Sequence, residues 1–209
     1  MLTSFIKITQ RLDEQLLLLL NGAPSWVAEP MWLASKTWIW LPLYGWIVLA
    51  VIRASNRTGQ RAGTSIKWRS ALGGILFLCA TFAATDAVSS RVFKPGFERL
   101  RPSHAPALEG QLILHQQYRG GQYGFVSSHA ANTFGLAAAF ILLLGRARWL
   151  WFWAAAVTYT RLYLGVHYPT DVLAGAMLGV GCAAALRFVH LRIQPGIINL
   201  RSAQQPRSA

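Results

Sequence analysis

The chain has 209 residues, with 20 Lys plus Arg against 7 Asp plus Glu, a formal net charge of +13. Hydrophobic residues make up 54% and charged residues only 13%, where a soluble domain carries roughly 25% charged. That excludes a disordered chain, which needs low hydrophobicity, and disfavours a water-soluble globule, leaving one integral membrane domain. The basic residues lie between apolar runs rather than in one patch, so they read as loop charge retained on the cytoplasmic side, and no nucleic-acid partner is expected. Cys79 and Cys182 sit inside apolar runs without a CxxC pattern, as small buried hydrophobes do.

In chain order, residues 3–20 predict an amphipathic helix lying at the membrane interface. Lys7, Arg11, Asp13 and Glu14 interrupt it, so it reads neither as a span nor as a signal peptide. Asn21-Gly22 is a helix stop. A second short helix is expected at about 25–35, with Trp26 and Trp32 as interfacial anchors. Five spans then follow: 37–52; 70–85, extending past Asp86 toward Phe93; 130–145; 149–166, apolar except for Arg161; and 172–186. Each, with its flanks, reaches the ~20 residues that a span requires. Gly175 and Gly179 in the last one have the spacing that lets helices approach closely.

The stretches holding Arg53, Arg57, Arg61, Lys67 and Arg69, then Arg146 and Arg148, then Arg187, Arg192, Arg201 and Arg207 fall on one side without Asp or Glu. By the positive-inside rule that side is cytoplasmic. The N-terminal helices, loop 94–128 and the turn at His167 are then outside. The expectation is an all-α integral membrane helical bundle of five to six helices in one domain, 1–209. Interfacial helices occupy 1–35, a transmembrane core 36–190 and a basic tail 191–209.

The outer side collects the unusual residues. A loop of some 35 residues is too long for a plain connector, and it is rich in cations, His and Gly: Lys94, Arg99, Arg101, His104, His115, Arg119, Gly120, Gly121 and Gly124. It runs into Ser127-Ser128-His129 at the start of the third span, where free helix N–H groups suit an anion. Arg161 is ionisable within an apolar span, a functional signal by default. His167 and Asp171 stand at i, i+4, so the carboxylate can hold one imidazole nitrogen and leave the other free. Asp86 reads as a structural partner for an arginine. Cations, two histidines and a helix N-terminus suit phosphoryl transfer. No carboxylate cluster suits Mg²⁺ or Ca²⁺, and no zinc pattern is present.

Lys94-x6-Arg101-Pro102, then Ser127-Ser128-His129, then Arg161-x5-His167-x3-Asp171 resembles the type 2 phosphatidic acid phosphatase superfamily. That group holds membrane lipid phosphatases and soluble vanadium haloperoxidases. The resemblance implies phosphate binding by Lys94, Arg101, Ser127, the backbone at Ser128 and Arg161. It implies a nucleophile, His167, oriented by Asp171, and an acid–base, His129, with no metal or other cofactor. Two positions depart from the family pattern: Ser128 stands where the second motif has Gly, and Thr160 where the third has Ser. The function implied is a lipid phosphate or pyrophosphate phosphatase of the inner membrane, facing the periplasm or exterior. Its partners are membrane lipids and a lipid phosphate substrate. Undecaprenyl pyrophosphate is the first expectation; phosphatidate, phosphatidylglycerophosphate and lipid A are alternatives. A non-catalytic anion or lipid transporter would explain the cations but not the His167–Asp171 spacing.

Overall fold

The computed structural model describes residues 2–22, 24–61 and 67–193. Residues 62–66 of the first basic stretch, and the expected tail from residue 194 onward, lie outside the described residues. The described residues are mainly helical: α1 (Leu2–Leu20), α2 (Ala28–Ala34), α3 (Leu41–Arg61) and α4 (Lys67–Ala87) come first. A π-helical turn, Val88–Phe93, leads into the short α5 (Lys94–Phe97), and the bundle closes with α6 (Ser128–Leu144), α7 (Leu150–Tyr163) and α8 (Pro169–Ile193). The only strand-like pairing among the described residues is the bridge Leu100–Tyr123.

Three stretches are long and apolar enough to cross a bilayer: Thr37–Arg57, Trp68–Phe97 and Pro169–Arg192. Only 22%, 28% and 22% of their apolar windows are buried. Leu76, Met177 and Phe188 are exposed on their surfaces, as lipid-facing positions are. The other two expected spans are shorter than anticipated. Helix α6 has 17 residues and α7 has 14; at ~1.5 Å per residue these reach about 26 and 21 Å, short of a core ~30 Å thick. The chain turns back early after α7 because α1 and α2 cover that end. Leu17 of α1 is fully buried with Leu162, Tyr168 and Val172. Val27, Ala28, Met31 and Trp32 pack on Tyr163, Leu164 and Val166. The N-terminal helices are thus walls of the protein.

The main core joins α3, α4, α6, α7 and α8 through Val51, Phe77, Phe140, Leu143, Leu150, Trp153, Val157 and Ala183. Lipid tails are as apolar as leucine, so helices associate in a membrane by close packing rather than by escape from water. The α6–α8 contact shows this. A Cβ on Gly179 would overlap the Ala131 carbonyl oxygen, and one on Gly175 would lie 2.5 Å from the Ser127 carbonyl oxygen. Gly135 of α6 faces Gly179 in turn. This crossing brings the N-terminus of α6 against that of α8, where the Ser127 N–H donates to the Asp171 carbonyl at 2.9 Å. Alternating helix directions then gather the ends of α4, α6, α7 and α8 that carry the motif residues.

Candidate active site

Each site residue sits at a helix end for a local reason. Lys94 follows the π-helical turn, a feature frequent at functional sites. Ser89 within that turn is buried and donates to Ser128 Oγ at 3.0 Å, and Lys94 Nζ donates to the same oxygen at 2.9 Å. The hydroxyl that Ser128 adds, where the family pattern has glycine, therefore holds the lysine. Ser127 is the extended residue that caps α6, and it is fully buried. Thr160, the other departure, donates to Val157 O within its own helix.

Arg101 is buried; its Nε donates to the Tyr123 carbonyl at 3.1 Å. Gly120, at φ +69, passes so near that a Cβ there would lie 2.8 Å from an Arg101 guanidinium nitrogen. Arg161 is 2% exposed near the end of α7, and it donates to the Tyr118 hydroxyl at 3.3 Å. Lys94, Arg101 and Arg161 lie near enough to repel one another, and none has a carboxylate ion-pair partner among the described residues. A buried charge is costly unless paired. The buried Arg161 Nε and Ser127 Oγ also have no hydrogen-bond partner. Unspent donors around three unpaired cations define a cradle for a compact anion.

His167 lies in the turn after α7 and is 1% exposed. Its Nδ1 is 3.5 Å from Asp171 Oδ2, within ion-pair range. Burial, and then Arg101, Arg161 and Lys94, hold its pKa well below the ordinary imidazole value. The ring is therefore neutral near pH 7, as a nucleophile must be. Asp171 is fully buried in the first turn of α8. Its Oδ2 accepts the Tyr168 N–H at 3.0 Å, in the manner of a capping box. His129, one residue into α6, places Nε2 3.3 Å from the Ser35 carbonyl at the end of α2.

All eight residues singled out from the sequence thus meet at one end of the bundle. Asp86 does not behave as expected. Its Oδ1 accepts from Asn132 at 3.2 Å, and Arg161 turns to Tyr118 instead. Three residues were missed. Tyr118 was an unremarked loop residue. Arg99, one of several loop cations in the sequence, donates to Asp171 Oδ1 at 2.7 Å and to Asp13 Oδ2 at 2.6 Å. Asp13, one of the charges that interrupt the amphipathic first helix in the sequence, is 2% exposed. The one available signal was a carboxylate in the middle of an otherwise amphipathic membrane-bound helix.

A membrane-embedded helical bundle with an anion cradle, a carboxylate-backed histidine and a second histidine defines a class of phosphate-handling membrane enzyme. Comparison with known proteins makes it specific: residues 74–194 match the PAP2 superfamily, and the chain belongs to that family. A lipid A 4'-phosphatase of Bacteroides thetaiotaomicron is 36% identical over 181 residues, covering 83% of this chain and 75% of that one. An undecaprenyl-diphosphatase of Sulfolobus acidocaldarius is 41% identical over 61 residues, 27% of this chain and 29% of that one. The crystal structure of a transmembrane PAP2-type phosphatidylglycerolphosphate phosphatase from Bacillus subtilis superposes with a TM-score of 0.59 at 22% identity. It covers 89% of this chain and 88% of that chain, and supports the fold. The protein is an integral membrane lipid phosphatase.

Proposed function

We propose that this protein, as a single domain, hydrolyses a lipid phosphate at the outer face of the cytoplasmic membrane through a phosphohistidine on His167. The observation that carries the reading is the cradle: three unpaired cations and orphaned donors beside a neutral, carboxylate-backed imidazole. Lys94, Arg101, Arg161, Ser127 and the Ser128 N–H hold the phosphoryl oxygens and spread their charge, which is most of what a protein can contribute to phosphoryl transfer. Asp171 accepts the Nδ1–H of His167 as a hydrogen bond and stabilises the positive charge that develops on the ring as Nε2 attacks phosphorus. The P–O bond to the lipid breaks as His129 protonates the leaving oxygen. His129, now neutral, takes a proton from water. The water oxygen attacks phosphorus, the P–N bond breaks and inorganic phosphate leaves. The phosphate's own charge favours protonated His129 at the start of the cycle. Nitrogen and guanidinium donors do the electrostatic work here, and the carboxylates nearest the site are engaged by Arg99, so the chemistry proposed is metal-independent.

The substrate we favour is a phosphomonoester of the lipid A type, because that relative matches over most of both chains. A lipid pyrophosphate such as undecaprenyl pyrophosphate, the first expectation from the sequence, is the second reading. It is supported by a match over a shorter stretch. The test is phosphate release by the purified protein in detergent from lipid A-type, undecaprenyl pyrophosphate, phosphatidylglycerophosphate and phosphatidate substrates, with EDTA present. The highest kcat/KM is expected on the lipid A-type ester. A higher value on the pyrophosphate would favour the second reading, and no release from any would favour a transporter.

A further inference from the structure

Behind the proposed nucleophile runs a line of charge, two buried carboxylates joined by a half-buried arginine, that reaches the N-terminal helix. Asp171 Oδ1 accepts from Arg99 Nη1 at 2.7 Å, while its Oδ2 is held by Tyr168 N and lies toward His167. The same Arg99 donates through Nη2 to Asp13 Oδ2 at 2.6 Å and to Gln10 Oε1 at 3.0 Å, both on α1. Its guanidinium stacks 4.2 Å above the Tyr168 ring. Asp13 Oδ1 accepts the Thr170 N–H at 3.0 Å, and Oδ2 takes the Thr170 hydroxyl, so Asp13 also satisfies one of the free N–H groups at the start of α8. Asp13 and Asp171 are 2% and 0% exposed. Asp13 lies outside the stretch that matches the family.

We propose that Asp13 and Arg99 are a positioning pair for Asp171, so that α1 belongs to the catalytic apparatus. This rests on the reading of His167 and Asp171 given above. Arg99 fixes the carboxylate's orientation, but one arginine beside one aspartate would cancel the charge that His167 needs behind it. The second carboxylate restores a net charge of −1 across Asp13, Arg99 and Asp171. A planar guanidinium can span two carboxylates; a lysine ammonium is a single point of charge. His167 faces Asp171 on α8, Arg161 on α7, His129 on α6, Arg101 in the loop and Lys94 on α5. All but His129 and Asp171 are fixed cations, so the compensation matters.

The test is the pH profile of kcat/KM for Asp13→Asn, the Asp13→Asn/Arg99→Gln pair, Arg99→Lys and Asp171→Asn. Active sites are counted by the burst of phosphoenzyme, so only folded protein is scored. Asp13→Asn should lower kcat per site by about 10–100-fold, by analogy with groups that orient a functional side chain in metal sites, with KM nearly unchanged. Its uncompensated Arg99 disfavours protonation of His167, so the acid limb should move to lower pH. Removing both charges should bring that limb back toward the wild-type position, which a purely structural role for α1 would not do. Should Asp13→Asn not fold, Arg99→Lys carries the test: kcat per site should fall while the limb stays in place. Wild-type kcat per site in Asp13→Asn or Arg99→Lys, with Asp171→Asn impaired, would overturn the proposal and leave the active-site reading standing. Wild-type kcat in Asp171→Asn would instead remove the reading on which the proposal rests.

Discussion

The two histidines differ in what stands behind them, and that difference underlies the roles we propose for them. His167 has Asp171 at 3.5 Å and three cations in front. His129 has only the Ser35 carbonyl, which fixes a ring without making it more basic than a carboxylate would. In the mechanism we propose, His129 serves proton transfer, worth about 10²–10⁴-fold. A lipid pyrophosphate has a better leaving group than a phosphomonoester and needs that proton less. His129→Ala should therefore lose more kcat/KM on the monoester than on the pyrophosphate, each relative to wild type and measured by phosphate release. Equal losses on both would contradict the leaving-group role. Ser128 makes a smaller point of the same kind. Its hydroxyl replaces no donor in the cradle, because the backbone N–H is unchanged, but it adds an acceptor that anchors Lys94.

At the scale of elements, the site depends on how closely α6 and α8 cross. Gly175 and Gly179 make separate contributions that can be told apart. Gly179 meets the Ala131 backbone deep in the crossing, whereas Gly175 meets the Ser127 carbonyl, at the cradle itself. Overpacking of this kind costs about 1–3 kcal/mol. Gly179→Ala should lower the unfolding temperature in detergent and leave kcat per folded site nearly intact. Gly175→Ala should cost as much stability or less, yet reduce kcat, because the displaced neighbour is Ser127. The reverse pattern would mean that the crossing does not set the cradle. The glycine spacing was legible in the sequence because a helix face repeats locally. The lengths of α6 and α7 were not, since an apolar run shows where a helix can extend but not that α1 and α2 roof over its end.

For the whole molecule, what the sequence made legible was chemistry carried by short spacings: cations, serines and histidines at helix ends, brought together by alternating spans. What it hid was chemistry carried by distant pairs. Asp13 and Thr170 are 157 positions apart and meet only in the fold, and Tyr118 shows no pattern that marks it as the partner of Arg161. The orientation we propose, with the site outside and the α6–α7 turn inside, rests on the loop charge. In a protein freed of Cys79 and Cys182, a cysteine at exposed Glu109 should react with an impermeant maleimide applied to intact cells. One at exposed Arg148 should react only after the membrane is opened. The opposite labelling would invert the assignment and put the site on the cytoplasmic face.

The central claim is a covalent phosphohistidine at residue 167, and rapid-quench labelling with a ³²P-labelled lipid phosphate tests it most directly. The wild-type protein should give an alkali-stable label within one turnover. Asp171→Asn should form it more slowly, and His167→Ala should form none. His129→Ala should form it slowly and, once labelled, lose it slowly, because the same imidazole serves both steps. Label that persists in His167→Ala but vanishes in His129→Ala would show that the roles are reversed.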